Sequence, residues 1–185
     1  MEKKYAIIIL TVLSISIFII GMMLVKSKKT EERKMSEILK RICLSYKIDD
    51  NIKDYLLLFV NPECEECQKE MAFLSLNKEK IINRYHVFIF SDVSEKELYK
   101  FSDKYQLNIS EFRFIADEKL DFYIQFDIIK QPTCLIFNNE RRFIQRLTGR
   151  LMNIKQLFIK KWKYIKLKRY LFVNRMKQTV GPRVF

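Results

Sequence analysis

The stretch "YLLLFVNPECEECQKE", residues 55–70, holds two cysteines three positions apart, Cys64 and Cys67. The run before them, residues 55–60, is continuously apolar and of strand length, which is typical of a strand buried on both faces of an α/β sheet. An Asn-Pro pair ends that run, and the polar residues after Cys64 predict a helix. The sequence thus places one thiol where a buried strand gives way to a helix.

Composition narrows the possible functions. The chain has 185 residues, a formal net charge of +13, three glycines and one histidine, His86. This length suits one ordinary domain plus an anchor or tail. So few glycines leave little room for a phosphate-binding loop, and one histidine excludes multi-histidine catalysis. The basic residues cluster beside the N-terminal apolar segment or after Arg141, so we expect a membrane partner and no nucleic-acid partner.

Residues 5–25, "YAIIILTVLSISIFIIGMMLV", carry no charge and are long enough to cross a bilayer as a helix. The run is long for a signal peptide and no small-x-small cleavage site follows it, so we predict an uncleaved single-pass anchor over residues 1–29. Its orientation is open. The lysines after it place the body in the cytoplasm, whereas the Lys3–Lys4 pair before it argues the opposite.

Hydrophobic periodicity predicts the remaining elements. An amphipathic juxtamembrane helix and a loop occupy residues 30–54, and one domain follows over residues 55–165. A basic tail with interleaved aromatic residues ends the chain at residues 166–185. Within the domain we predict helices over residues 64–83, 94–105, about 118–128 and 151–165, and strands over residues 55–60, 86–91, about 111–117, 133–137 and 142–147, the last two as an antiparallel hairpin.

Metal and haem sites fit the cysteine pair poorly. A structural zinc site needs four ligands, but Cys43 and Cys134 are isolated in the sequence. Attachment of a c-type haem needs a histidine directly after the second cysteine, and Gln68 stands there. We therefore expect no metal ligands among these residues.

Disulfide exchange needs no further ligand. It needs an exposed thiol at a helix N-terminus, where the helix dipole favours the thiolate, and a second thiol one turn along. Cys64 is the predicted attacking thiol and Cys67 the deeper, resolving one. Glu65 and Glu66 disfavour a thiolate beside them, which predicts a reducing pair. An inert pair in a binding module remains the alternative.

The order of strand, CxxC, helix, strand, helix, then an X-Pro-Thr sequence opening a hairpin, resembles the thioredoxin fold. Gln131-Pro132-Thr133 matches the cis-proline element of that family. The resemblance implies an α/β fold with a central mixed sheet flanked by helices, preceded here by the transmembrane helix. It also implies a cis bond before Pro132 and substrate binding by Gln131, Pro132 and Thr133.

The motif "CEECQKE" narrows the resemblance to the TlpA/ResA-like membrane-anchored thiol-disulfide oxidoreductases, whose motif is CxxCxxE. Glu70 stands in the glutamate position, Asp117 in that of the family's aspartate, and Gly149 where a glycine often follows the hairpin. The resemblance implies Cys64, Cys67 and Glu70 as catalytic residues, and no metal or organic cofactor.

The same resemblance implies a location and partners. The domain is expected on the extracytoplasmic side, which is the periplasmic side of the inner membrane. There it would reduce disulfides of client proteins and be re-reduced by a membrane electron-donor protein. The alternative function is a non-catalytic thioredoxin-like adaptor that binds a partner protein at the membrane.

Overall fold

The computed structural model describes residues 2–48 and 52–149, with side chains from residue 13 onward. Its helices are α1 (Glu2–Ser45), α2 (Glu65–Leu76), α3 (Lys78–Ile82), α4 (Glu95–Lys104) and α5 (Asp121–Gln125). Its strands are β1 (Asp54–Phe59), β2 (Tyr85–Ser91), β3 (Phe112–Ala116), β4 (Thr133–Phe137) and β5 (Phe143–Thr148). The predicted final helix, residues 151–165, and the basic tail lie outside the described residues.

The described strands form one mixed sheet in the order β3-β2-β1-β4-β5. The pairs β1–β2 and β2–β3 are parallel, whereas β1–β4 and β4–β5 are antiparallel. All six residues of β1 are buried, which explains its unbroken apolar sequence. The α/β class with a mixed sheet and the hairpin of β4 and β5 are confirmed.

Strand directions bring the chemistry to one end of the sheet. Phe59 ends β1 and lies opposite Thr133, the first residue of β4. Ser91 and Ala116, which end β2 and β3, are paired with each other at the same end. We call this end, formed by Phe59, Ser91, Ala116 and Thr133, the cysteine end, because residues 60–64 leave β1 there.

Helix α1 is a continuous helix of 44 residues, so the predicted anchor and juxtamembrane helix form one element. Its second half packs on one face of the sheet through five buried side chains: Met35, Ile38, Leu39, Ile42 and Cys43. Burying a Leu or Ile side chain contributes about 1.5–3 kcal/mol, so this face fixes α1 firmly to the domain. Within the described residues, no helix has a stretch long and apolar enough to cross a membrane.

The prediction of one helix over residues 64–83 is wrong in one respect. The structure contains two helices there, α2 and α3, which are separated at Asn77. The backbone there leaves the helical region, with φ −118° and ψ 15°. The Asn77 side-chain amide donates to the carbonyl of Phe73 at 2.9 Å. Asparagine amides compete in this way with backbone hydrogen bonds, so the helix stops and restarts.

Helix α4 follows its sequence signal closely. Ser94 and Glu97 form the capping box that their three-residue spacing predicts. The serine hydroxyl accepts a hydrogen bond from the Glu97 backbone N–H, and the Glu97 carboxylate accepts one from the Ser94 N–H. Local side-chain chemistry is sufficient to start this helix.

Candidate thiol-disulfide site

Cys64 occupies the N-cap position of α2, directly beyond the cysteine end of β1. The turn before it is built by Asn61, whose side-chain oxygen accepts from the Glu63 N–H at 2.8 Å. The same amide donates to Asp92 Oδ1 at 3.0 Å, which ties the turn to the segment after β2. The partly exposed Cys64 sulfur accepts a hydrogen bond from the Cys67 backbone N–H at 3.3 Å. This is the placement that stabilises negative charge on sulfur at a helix N-terminus.

Cys67 lies one turn further along α2 and is fully buried. Both thiols are free, and they are within hydrogen-bonding reach of each other. Burial raises the pKa of the Cys67 thiol, and the Cys64 thiol and the Glu70 carboxylate raise it further, against a lowering by the Asn61 backbone. One thiol is thus partly exposed, and the other lies buried one turn along α2 with a raised pKa.

Glu70 also faces the interior of the domain. Glu70 is only 3% exposed, in spite of its carboxylate. The first turn of the same helix is polar. The charge of Glu70 raises the pKa of both Cys67 and Cys134, so the carboxylate acts on two buried thiols. The Glu70 carboxylate is thus close enough to Cys67 to influence its pKa through charge.

Glu65 and Glu66, in the first turn of α2, share a counter-ion. Lys69 Nζ lies 2.7 Å from Glu65 Oε1 and 2.8 Å from Glu66 Oε1. The lysine lowers the pKa of the Glu65 carboxyl through a hydrogen bond and its charge. Lys69 therefore neutralises part of the negative charge that these two carboxylates bring to the start of α2.

The segment before β4 closes the site from the other side. The Gln131–Pro132 peptide bond is cis, as the resemblance to the thioredoxin fold implies. The Gln131 carbonyl oxygen lies 4.0 Å from Cys64 Sγ, within reach of a thiol hydrogen bond. Thr133 is buried, and its hydroxyl donates to the Lys130 carbonyl, so this side chain braces the loop instead of facing solvent.

Tyr123, in α5, is a site residue that the sequence analysis does not single out. Its buried hydroxyl donates to the Val60 carbonyl at 3.1 Å and lies 3.5 Å from the Phe90 carbonyl. It accepts from the side-chain amide of Gln131 at 2.8 Å. One oxygen thereby connects the ends of β1 and β2 to the loop that faces Cys64. Nothing in the sequence around Tyr123 signals these contacts, because their partners lie 8 to 63 positions away.

The remaining singled-out residues have structural places. Asp117 Oδ2 accepts from the Phe122 and Tyr123 backbone N–H groups and so caps α5, while burial raises the pKa of its carboxyl. Cys43 and Cys134 are buried, the former on α1 and the latter within β4. In the described part of the chain, no three His, Cys, Asp or Glu side chains are grouped to hold a metal ion.

Solved structures share this architecture. StoA from Bacillus subtilis aligns with a TM-score of 0.50 and 19% identity, over 63% of this chain and 86% of its own. MTB DsbF, in mixed oxidized and reduced forms, aligns with a TM-score of 0.50 and 20% identity, over 57% of this chain and 76% of its own. The chain has a thioredoxin-like fold.

A third structure with this thioredoxin-like fold is a secreted disulfide oxidoreductase of Mycobacterium tuberculosis, homologous to DsbE of E. coli. It has a TM-score of 0.49 and 18% identity, over 57% of this chain and 77% of its own. At 18–20% sequence identity, these similarities concern the fold alone. No family model matches the sequence, and no curated protein matches it.

Proposed function

We propose that this protein is a thiol-disulfide oxidoreductase that reduces disulfides in client proteins. The observation that carries the proposal is the pairing of a partly exposed thiol with a buried one. Cys64 lies at a helix N-terminus against the Gln131 carbonyl, and Cys67 lies one turn behind it. An accessible thiol is needed to attack a disulfide, and an inaccessible one to release the product.

The reaction balances without a cofactor. The Cys64 thiolate attacks one sulfur of a client disulfide, a mixed disulfide forms, and the other client sulfur leaves as a thiolate that takes up a proton. Cys67 then loses its proton and attacks Cys64 Sγ, which releases the second client thiolate. The client gains two electrons and two protons, and the protein is left with a Cys64–Cys67 disulfide. A dithiol electron-donor protein restores the reduced pair by the same exchange.

Glu70 and the loop before β4 have distinct proposed roles. Burial holds Cys67 protonated, so its attack needs a proton acceptor, and the nearby Glu70 carboxylate is the proposed one. The backbone beside Pro132 is the proposed client-binding edge, since Gln131 already faces Cys64. Thr133 supports that edge through its hydrogen bond to Lys130.

We further propose that the domain is tethered to a membrane and faces its extracytoplasmic side. Support for the tether comes from the uncharged residues 5–25 and from the exposed apolar side chains of α1 between Leu13 and Val25. Support for the side comes from the resemblance to the TlpA/ResA-like group. Labelling of Cys64 in intact cells by a membrane-impermeant maleimide tests the side directly, and protection of that thiol until lysis contradicts it.

Trapping tests the proposed activity. Cys67→Ser removes the resolving thiol, so mixed disulfides between Cys64 and clients should accumulate and disappear on reduction. Cys64→Ser is the matched control and should trap nothing, because the three remaining thiols are buried. If Cys67→Ser yields no reducible adducts beyond those of Cys64→Ser, the oxidoreductase proposal fails. Partner binding that survives replacement of both cysteines supports the adaptor instead.

A further inference from the structure

Three contacts define the direction of α1 relative to the sheet. Arg141 donates to the Ile48 carbonyl beyond the end of α1, at 3.1 Å. Ser36 Oγ accepts from the Phe143 N–H at the start of β5, at 3.2 Å. Glu31 lies 3.9 Å from the Arg146 guanidinium further along β5. The residue numbers along α1 decrease in these contacts as those along β5 increase, so α1 runs antiparallel to β5.

Strand β5 ends at the cysteine end of the sheet, where Thr148 pairs with Thr133. Helix α1 therefore passes the cysteine end as it is followed back toward its own N-terminus. The apolar part of α1 leaves the domain on the side that carries Cys64.

Helix and strand rises give the level at which α1 passes that end. Thr148 lies two residues beyond Arg146, which is about 7 Å along a strand. The same distance along α1 is about four to five residues at 1.5 Å each. Counted back from Glu31, the cysteine end is level with Lys26 or Ser27. The uncharged stretch of the sequence ends one or two residues earlier, at Val25.

The surface of α1 changes character at this level. Ile15, Ile17 and Phe18 are among large apolar side chains between Leu13 and Val25 that are 48–70% exposed. Exposed lysines follow at Lys26, Lys28 and Lys29. A lipid bilayer is the occupant that fits both features, since its hydrocarbon takes the apolar side chains and its anionic headgroups take the lysines.

From this geometry we infer that α1 holds the Cys64–Cys67 site at the surface of the membrane, facing it. Its substrates are then disulfides and dithiols at the bilayer surface, in the membrane-proximal segments of membrane proteins. The inference rests on the membrane tether of the proposed function. It goes beyond that function because it names where the reacting sulfur atoms must lie.

A rigid helix makes this restriction possible. A flexible linker lets a tethered domain turn its site in any direction. Here α1 is helical from the apolar stretch to Met35, the first of its buried residues in the domain core, about 15 Å beyond Val25. The buried face from Met35 to Cys43 prevents rotation of the domain about this stalk.

Depth-dependent quenching tests the orientation in the full-length protein. The protein is reconstituted into phosphatidylcholine–phosphatidylglycerol vesicles containing lipid with a nitroxide headgroup. A fluorophore is attached to Cys64 in the Cys67→Ser variant. The matched control carries it on Leu76→Cys in a Cys64→Ser/Cys67→Ser background. Leu76 is exposed at the opposite end of α2, about 18 Å from Cys64 along the helix.

We expect the nitroxide lipid to quench the Cys64 label severalfold more than the Leu76→Cys label. A Gly/Ser insertion of about 20 residues after Lys29, about 25 Å in root-mean-square length, should abolish the difference. Equal quenching at both positions, stronger quenching of the Leu76→Cys label, or no effect of the insertion overturns the orientation. Protein that does not float with the vesicles overturns the tether and the orientation with it.

The oxidoreductase proposal is assayed separately, as reduction of a soluble disulfide by the same wild-type protein. If the wild-type protein shows the expected quenching pattern but does not reduce the soluble disulfide, the oxidoreductase proposal is refuted and the orientation remains supported. Activity on the soluble disulfide without the quenching difference refutes the orientation alone. A peptide disulfide attached to lipid by a short spacer should also be reduced faster by the wild-type protein than by the insertion variant.

Discussion

Tyr123→Phe removes one buried oxygen that connects three segments of the site. In the wild type, the hydroxyl donates to the Val60 carbonyl at 3.1 Å and accepts from the Gln131 amide at 2.8 Å. The substitution keeps the ring and its edge-to-face packing on Phe59, so no large cavity forms. What changes is the hydrogen bonding of Val60 and Gln131.

The magnitude follows from those two partners. A buried carbonyl left without its donor costs about 1–3 kcal/mol, and the part-buried Gln131 amide adds less because water replaces its acceptor. We therefore expect Tyr123→Phe to lower the free energy of unfolding by about 1–3 kcal/mol. Tyr99→Phe is the matched control. The Tyr99 hydroxyl bonds to Glu95 on the exposed face of α4, so its loss should cost no more than about 0.5 kcal/mol.

An activity assay distinguishes the effect of Tyr123 on the position of Gln131 from its effect on protein stability. The Gln131 carbonyl faces Cys64, so loosening this residue should lower kcat/KM for a client disulfide. One hydrogen bond of about 0.5–1.5 kcal/mol corresponds to about a twofold to tenfold loss. The assay is turnover of a peptide disulfide at 25 °C, far below the unfolding transition, with urea titrations run in parallel. The reduction potential should not change, because the hydroxyl bonds to neither thiol.

Two outcomes would refute this reasoning. The first is an equal loss of stability in Tyr123→Phe and Tyr99→Phe, since it would mean that the buried hydroxyl contributes no more than the exposed one. Wild-type kcat/KM in folded Tyr123→Phe is the second, since it would mean that the contact to Gln131 has no influence on the reaction.

Two further predictions concern the buried titratable groups. Glu70→Gln should shift the pH profile of mixed-disulfide resolution to lower pH, because the Glu70 carboxylate raises the pKa of Cys67. It should also lower the plateau rate of resolution if Glu70 accepts the proton. Stopped-flow fluorescence measures both quantities. An unchanged profile contradicts both statements. Since burial raises the pKa of Cys67 and Cys134, the unfolded chain loses these protons first. The contribution of these two thiols to the stability of the reduced protein should therefore be constant below about pH 8.5 and fall by up to about 1.4 kcal/mol per pH unit and thiol above it. Urea titrations from neutral to alkaline pH measure this loss, and Cys134→Ala should make it shallower; an equal slope in both proteins contradicts the assignment.

Most of the correctly predicted helices and strands follow from signals that extend over only a few residues of the sequence. The apolar run of β1, the capping box of Ser94 and Glu97 and the polar turn between β4 and β5 each act over a few residues, and the structure contains all three. Asn77 shows the limit of such reasoning. Its hydrogen bond to Phe73 ends α2 inside a stretch whose composition remains compatible with a helix.

The candidate site likewise contains residues that the sequence reveals and contacts that it does not. Cys64, Cys67 and the Gln131–Pro132 bond are recognisable because residue type and spacing carry their chemistry. The contacts of Tyr123 depend on the packing of α5 against the ends of β1 and β2, and no pattern of spacing records that. The direction of α1 was equally hidden, since it follows from the register of β5 in the sheet.

The measurement that tests the central claim most directly is the reduction potential of the Cys64–Cys67 pair, by equilibration of the full-length protein with glutathione or dithiothreitol. We expect a reversible two-electron couple below about −230 mV, because the raised pKa of Cys67 and the nearby carboxylates give the reduced pair little stabilisation as thiolate. A couple between about −180 and −120 mV would contradict the direction of the reaction and indicate an oxidant or isomerase. The absence of any reversible couple would contradict the claim that this protein exchanges disulfides.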